Sequence, residues 1–411
     1  MIVPSFLALS LLLPLASAAF APKGCRCLPS DACWASVPFA QLNASVGGSL
    51  IYMTDPYAAC VADSNSASCA QALQSSDNEF WLTSQPDGYL HTGQFGVWNM
   101  SSAQASLAVV ALSEADVQAA VAFAAAWNLR VSVKSTGHDW YGRSTAPGSL
   151  LIWTHLLNTT SFLSDFSDSC GLTPVPAAVI GSGVQFRDLY AAAQEAGRLV
   201  IGGTCDSVSV AGCWLGGCYG TFSQLFGSGS SNLLSARVVL ADGSLVVADA
   251  CTNSDLFWSL RGGGGGLGGV VVEFTARSHA APQWVMLGGG SFHANDDEGY
   301  QALLEQMLLY SKRVQDPALG GIYGGGGISW SAGASGGSIN LWPKGYEATQ
   351  EQFDALFDPL RAFVANDTSR FGGSAASSRW NASAWKPGDA LPWIEVQKVP
   401  LKIGSRFLPR L

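Results

Sequence analysis

The loop Ser135-Thr136-Gly137-His138-Asp139, closed by Gly142-Arg143-Ser144, holds residue types suited to binding an anion and presenting a reactive side chain. It follows the alternating apolar positions Val131 and Val133, so it sits at a strand end. Small hydroxylic residues and glycine there let backbone N–H groups converge on an anion. Arg143 would add a charge-assisted partner for phosphate. His138 stands mid-loop, where neither a helix core nor a strand core would place it; taken alone it reads first as a hydrogen-bonded turn histidine. A second reactive group, Cys205, lies in Gly202-Gly203-Thr204-Cys205-Asp206-Ser207-Val208-Ser209-Val210-Ala211-Gly212, which runs on through Gly216-Gly217-Cys218-Tyr219-Gly220. Such density of Gly, Ser and Thr in an apolar setting predicts backbone packed close to something flat or large.

The elements around these loops read as α/β units. Ser106 to Val110 is a predicted strand, and Ser113 with Asp116 three residues on predicts a capped helix to about Asn128. Its inward face would be Val117, Ala120, Val121 and Ala124. Arg130 to Val133 returns as a strand, and Leu150 to Trp153 is another. Ser161 to Thr173 reads as a polar connector. Ala177 to Gly183 is a strand and Gln185 to Ala196 a helix, with Phe186, Leu189, Tyr190 and Ala193 on one side. Ala241-Asp242-Gly243 predicts a hairpin between Asn232–Leu240 and Ser244–Val247. Gly264, Gly266 and Gly269 match G-x-G-x-x-G, but they precede a strand instead of opening a helix, so a dinucleotide fingerprint is rejected. From about Ala280 the character changes to an α+β pattern, with a helix from Thr349 to Val364 that Pro359 should kink or split.

Composition narrows the classes. Charged residues make up 12% of the 411, there are 47 glycines, and the net charge is −9. No basic run exists, so a nucleic-acid surface is excluded. Phe6 to Leu15 is apolar and Ala16-Ser17-Ala18 supplies a cleavage pattern, so 1–18 reads as a signal peptide. No later segment is long and apolar enough to span a membrane. Sequons at Asn43, Asn99, Asn158, Asn366 and Asn381 and ten cysteines agree with export to an oxidising compartment. Cys25, Cys27, Cys33, Cys60 and Cys69 suggest a loop-rich extension stapled by disulfides. Metal binding by Cys25-x-Cys27 is disfavoured because no histidine lies near. Setting Cys205 aside leaves nine cysteines, so at least one other would be free or intermolecular.

In order, KSTGHDWYGRS, GGTCDSVSVAG, LGGCYG and ADGSLVVADACTNSDLFWSLRGGGGGLGG resemble the secreted flavoproteins with a PCMH-type FAD-binding domain. These are the berberine-bridge-enzyme-like and oligosaccharide oxidases of the vanillyl-alcohol-oxidase fold. The resemblance is specific across about Leu107 to Arg277. It implies an α+β chain: a signal peptide (1–18), a Cys-rich extension (19–84), an FAD-binding domain of two α/β subdomains (85–279) and a substrate domain with an antiparallel sheet (280–411).

It further implies FAD attached covalently through His138 and, beside it, through Cys205. The other reading of Cys205 is an ordinary disulfide. Ser135, Thr136, Gly137, Asp139 and Arg143 would line the pyrophosphate, and Ser207, Val208, Gly212, Gly216, Gly217 and Gly220 would lie against phosphate and isoalloxazine. Gly203 would leave O₂ a path. The implied reaction moves a hydride from an alcohol or hemiacetal carbon of a sugar or oligosaccharide to the flavin, which O₂ reoxidises. The alternatives are a specialised metabolite as substrate, or an inactive binding protein of the same fold. Three positions depart from the family: Asp206 and Ser207 replace Pro-Thr, Cys213 stands where relatives often carry His, and Cys218 replaces a common Gly. Relatives also continue well past the SRFLP-like segment, so the chain is expected to be incomplete and no catalytic base is assigned.

Overall fold

The structure, a computed structural model, describes residues 25–381 apart from 77, 89–104, 140, 172, 315–321 and 324–327. The signal-peptide reading and Asn99 therefore lie outside the described residues.

The Cys-rich segment is more regular than expected. It holds short helices α1 (Phe39–Ser45), α2 (Ala58–Ala62), α3 (Ala67–Ser75) and α4 (Glu79–Thr83), and a strand β1 (Leu50–Tyr52). Local caps explain them. The Ser66 hydroxyl accepts from Cys69 N–H, and the Asn78 side chain accepts from Phe80 and Trp81 N–H, satisfying orphan donors of the first turns. Disulfides Cys27–Cys33 and Cys60–Cys69 staple this segment, and β1 joins the sheet that follows.

That first sheet has the order β1-β2-β4-β3, with β2 (Leu107–Val110) and β3 (Val131–Lys134) both parallel to β4 (Leu150–Trp153). Helix α5 (Glu114–Ala126) begins at a complete Ser113–Asp116 capping box and buries Val117, Ala120, Val121 and Ala124, the face anticipated above. It packs between this sheet and Val239, Val270 and Val272 of the next, so one helix joins the two sheets through a shared core.

The second sheet runs β5 (Thr160–Phe166), β6 (Val175–Gly181), β10 (Val270–Ala280), β8 (Leu233–Val239), β9 (Leu245–Asp249), with β7 (Arg198–Val200) also on β10. The expected connector from Ser161 is thus the edge strand β5. Its exposed positions include Ser161, Ser164 and Asp165, so the sequence read as loop, while its backbone pairs with β6. Helices α6 (Phe186–Glu195), α7 (Val210–Leu215), α8 (Ser223–Phe226) and α9 (Ser254–Leu260) cover it. The hairpin at Ala241-Asp242-Gly243 forms as read. The glycine run serves packing: Gly264 N–H donates to Leu215 O at 2.7 Å.

The third sheet pairs β11 (Trp284–Ala294) along its whole length with β16 (Phe371–Asn381), and also contains β12 (Ile322–Tyr323), β13 (Ile328–Ala332), β14 (Gly337–Leu341) and β15 (Lys344–Tyr346). All its pairings are antiparallel. Helices α10 (Asp297–Val314) and α11 (Gln350–Ala365) pack on it. Pro359 lies inside α11 without splitting it. Leu356, Phe357, Leu360 and Val364 around the proline are buried in the core, and that packing outweighs the ~3 kcal/mol interruption. No helix among the described residues is long and apolar enough to cross a membrane.

Candidate flavin site

The loops after β3 and β7 meet. His138 Nε2 lies 2.8 Å from Ser207 Oγ, and the Cys205 thiol lies 3.7 Å from the same hydroxyl. Thr136 Oγ1 accepts from Ser209 N–H at 3.3 Å, tying the two loops a second time. Ser135 Oγ donates to Ser182 O at 3.0 Å, and Gly137 turns the chain at φ +86°, which a side chain would strain. The site therefore occupies the carboxyl end of a parallel strand, where open α/β sheets place ligands.

A third residue, which sequence reasoning missed, completes the cluster. Glu79, in α4 of the Cys-rich segment, accepts from the Ser207 hydroxyl and lies 3.9 Å from Cys205 Sγ. One side-chain atom each of Glu79, His138 and Cys205 lies within 4.8 Å of the others. Nothing in the spacing of Glu79 announces this. The helix is held in place from two sides: Gln185 Nε2 donates to Thr83 Oγ1 at 3.1 Å and to Ser207 O at 2.7 Å, while the Arg187 guanidinium lies 3.5 Å from the Phe80 ring centre.

A buried lysine anchors the same segment. Lys134, 1% exposed, donates to the carbonyls of Gln85 (2.8 Å), Pro86 (2.7 Å) and Gly88. Burial holds it down to about 7, against the pull of Asp87. Burial likewise pushes the Asp87 carboxyl up to about 7, with Asp55 adding to it.

The remaining positions divide. Val208 is partly buried, its N–H donating to Cys205 O and its carbonyl accepting from Phe186 N–H. Gly212 and Gly217 have open space where a Cβ would stand, and Gly216 has only ordinary contacts. Gly220 answers to the protein itself, since a Cβ there would meet Gly202 O at 1.9 Å. Asp139 and Arg143 pair with each other at the rim, the arginine side chain 72% exposed. A Cβ on Gly203 would stand 3.1 Å from the Phe186 ring and 3.3 Å from Cys213 Sγ, and Gly203 lines a small cavity with Tyr190, Thr221 and Phe222.

Cys205 is a free thiol, as is the exposed Cys25, which satisfies the parity argument. Burial chiefly raises the Cys205 pKa, and Glu79 adds to it against the Ser207 hydrogen bond. The two cysteines that depart from the family pattern are one feature, the disulfide Cys213–Cys218 across the end of α7. A fourth bridge joins Cys170 to Cys251.

Comparisons with known proteins point to a flavin-binding fold. Residues 105–249 match the FAD binding domain model FAD_binding_4. The FAD-linked oxidoreductase apf9 of Gibberella fujikuroi is 34% identical over 86% of this chain and 64% of its own length. The VAO-type flavoprotein oxidase VAO615 of Thermothelomyces thermophilus is 31% identical over 84% of this chain and 61% of its own. The chain is similar to VAO-type flavoproteins along most of its length and carries their FAD-binding domain. It also superposes on the crystal structure of the VAO-type flavoprotein MtVAO615 from Myceliophthora thermophila C1 with a TM-score of 0.73 at 29% identity, covering 87% of this chain and 66% of that one. Berberine bridge enzyme from Eschscholzia californica, at a TM-score of 0.57 and 18% identity over 82% of this chain and 60% of that one, shares the fold. The chain thus spans less than two thirds of the length of these curated relatives.

The residues fit the FAD of this family. An imidazole and an unpaired thiol converge on one point, as two neighbouring attachment positions on one flavin edge would require. Next to Ser135, Ser182 Oγ is buried without a hydrogen-bond partner, as is His155 Nδ1 on the loop after β4. Such atoms are the kind a bound polar group satisfies.

Proposed function

We propose that this chain is the flavin-holding part of an exported FAD-dependent oxidase, with the cofactor attached to His138 and Cys205. The observation that carries the reading is the convergence of these two side chains within 4.8 Å while eight other cysteines pair in disulfides. Bound FAD would accept a hydride from a substrate carbon bearing a hydroxyl and pass electrons to O₂ as H₂O₂. The chain's own contribution is to fix the flavin edge between two loops. The dipoles of the Ser135–Asp139 loop would face the pyrophosphate, and the open backbone at Gly212 and Gly217 would admit the cofactor without steric cost. The Arg143–Asp139 pair would close the rim. Four disulfides and five sequons support export.

Carbohydrate alcohols and hemiacetals are the proposed substrates, with phenolic alcohols and alkaloids as the competing class in the same screen. Purified protein should be yellow and keep its flavin through acid precipitation, with peptide mapping placing it on His138 and Cys205. Colourless, folded protein would sink the oxidase reading. Turnover with artificial acceptors but no H₂O₂ in air would make it a dehydrogenase.

A further inference from the structure

The hydrogen-bond chain Glu79–Ser207–His138 has a direction, and the direction has consequences. A carboxylate only accepts, so the single hydroxyl proton of Ser207 is committed to Glu79 Oε2. The contact between Ser207 Oγ and His138 Nε2, at 2.8 Å, must then run the other way, with Nε2–H donating. In neutral imidazole this leaves Nδ1 as the unprotonated, nucleophilic nitrogen. On the other side of the same carboxylate, the Cys205 thiol donates to Glu79 Oε2 at 3.9 Å. Burial disfavours the thiolate there, so a nearby acceptor is needed for sulfur to react.

We infer that Glu79 is the positioning residue for covalent flavin attachment, selecting the tautomer of His138 through Ser207 and accepting the protons that the His138 and Cys205 attachments release. This rests on the reading of those two residues as attachment points. At His138, Nδ1 bonds to the flavin methyl carbon and that carbon loses one hydrogen as a proton. The cationic ring then gives its Nε2 proton through Ser207 to Glu79. At Cys205, an S–C bond replaces the S–H bond and one ring C–H bond, the thiol proton going to Glu79 and the ring hydrogen leaving as a proton. Each attachment leaves two electrons on the flavin, which O₂ takes up with two protons as H₂O₂. The Cys-rich segment gains a purpose here, since it delivers the only carboxylate in the cluster. Its docking through Thr83, Phe80 and the carbonyls held by Lys134 keeps that carboxylate in place.

The test follows attachment, not turnover. The full chain, prepared flavin-free, is mixed with FAD in air. Bound FAD is read by fluorescence quenching, acid-stable flavin by precipitation, and each adduct by peptide mass. Wild type should acquire both adducts. Glu79→Gln should bind FAD but attach it on the order of 100-fold more slowly, as for loss of a general base. Raising the pH should recover part of that rate, and Glu79→Asp part of it at neutral pH. Ser207→Ala should slow the His138 adduct much more than the Cys205 adduct, because Cys205 reaches Glu79 directly and loses only its own contact with the Ser207 hydroxyl.

Attachment by Glu79→Gln at the wild-type rate overturns the inference and leaves the covalent reading standing. Wild type that binds FAD without ever forming an adduct overturns the covalent reading itself. If Glu79→Gln does not fold, Ser207→Ala decides: equal loss of both adducts, or loss of neither, overturns the inference.

Discussion

Two half-buried histidines are set into opposite electrical surroundings. His138 is joined through one hydroxyl to a carboxylate, beside a free thiol. His279, in the cleft where the second and third sheets meet, donates Nε2–H to Asn232 Oδ1 at 2.8 Å and stacks on Phe226 at 4.1 Å. The Asn232 amide is oriented by its other end, which donates to the Phe226 and Ser228 carbonyls at 2.9 and 2.8 Å. Arg198, Arg277, Tyr346 and Glu347 line the same cleft. Burial first, then Arg277 and Arg198, push His279 down to about 4. Both rings carry hydrogen on Nε2, yet only His138 has a route by which that proton can leave. A carboxylate at the end of the chain gives the ring a proton acceptor; an amide with two arginines makes it a fixed neutral strut.

The comparison breaks most completely if the carboxylate is removed from His138 by undocking the segment that carries it. Lys134→Met should do so. The three carbonyls gripped by Lys134 lose their donor, at about 1–3 kcal/mol for each one left buried. We expect a loss of about 3 kcal/mol or more in denaturant unfolding, early proteolytic cleavage before residue 88, and slowed flavin attachment. The cleft around His279 should be unaffected. Unchanged attachment in a Lys134→Met protein whose segment is demonstrably cleavable would show that Glu79 is dispensable.

The loops were legible in the sequence because glycine, hydroxyl groups and strand ends are local signals. So were α5 and α6, whose four inward residues each follow a clean 3.6-residue period. What escaped was contact across distance. Glu79 reaches Ser207 across 128 positions, and no periodicity encodes that. Cys213 and Cys218, read separately as departures from the family pattern, are one bridge. Helix α10 went unread although Asp297 and Glu298 open it and Lys312 and Arg313 close it, the arrangement a helix dipole favours. Strand β16 went unread because its Gly-Ser-Ala composition carries little apolar alternation; its strand character comes from pairing with β11.

Removing the amide should reach the other histidine alone. Asn232→Ala takes the partner from His279 Nε2–H and from the Phe226 and Ser228 carbonyls, at an expected cost of about 2 kcal/mol in stability. The flavin adducts on His138 and Cys205 should form at the wild-type rate. Slowed attachment would mean the two histidines share one network.

The smallest effect is the most specific. His279 titrates at about 4 in the fold against 6.5 as a free side chain. Between those values the unfolded chain binds a proton that the folded one refuses, so this group's contribution to stability is lost as pH falls from about 6.5 through 4. His279→Gln keeps an N–H for Asn232 and cannot titrate. Melting midpoints should therefore fall less steeply in the variant than in wild type over that window. The gap should be on the order of 1–2 °C at pH 4, because the half-exposed ring is partly screened. Parallel curves for His279→Gln and wild type would mean that the arginine-lined cleft imposes no penalty, and the contrast between the two histidines would reduce to their hydrogen-bond partners alone.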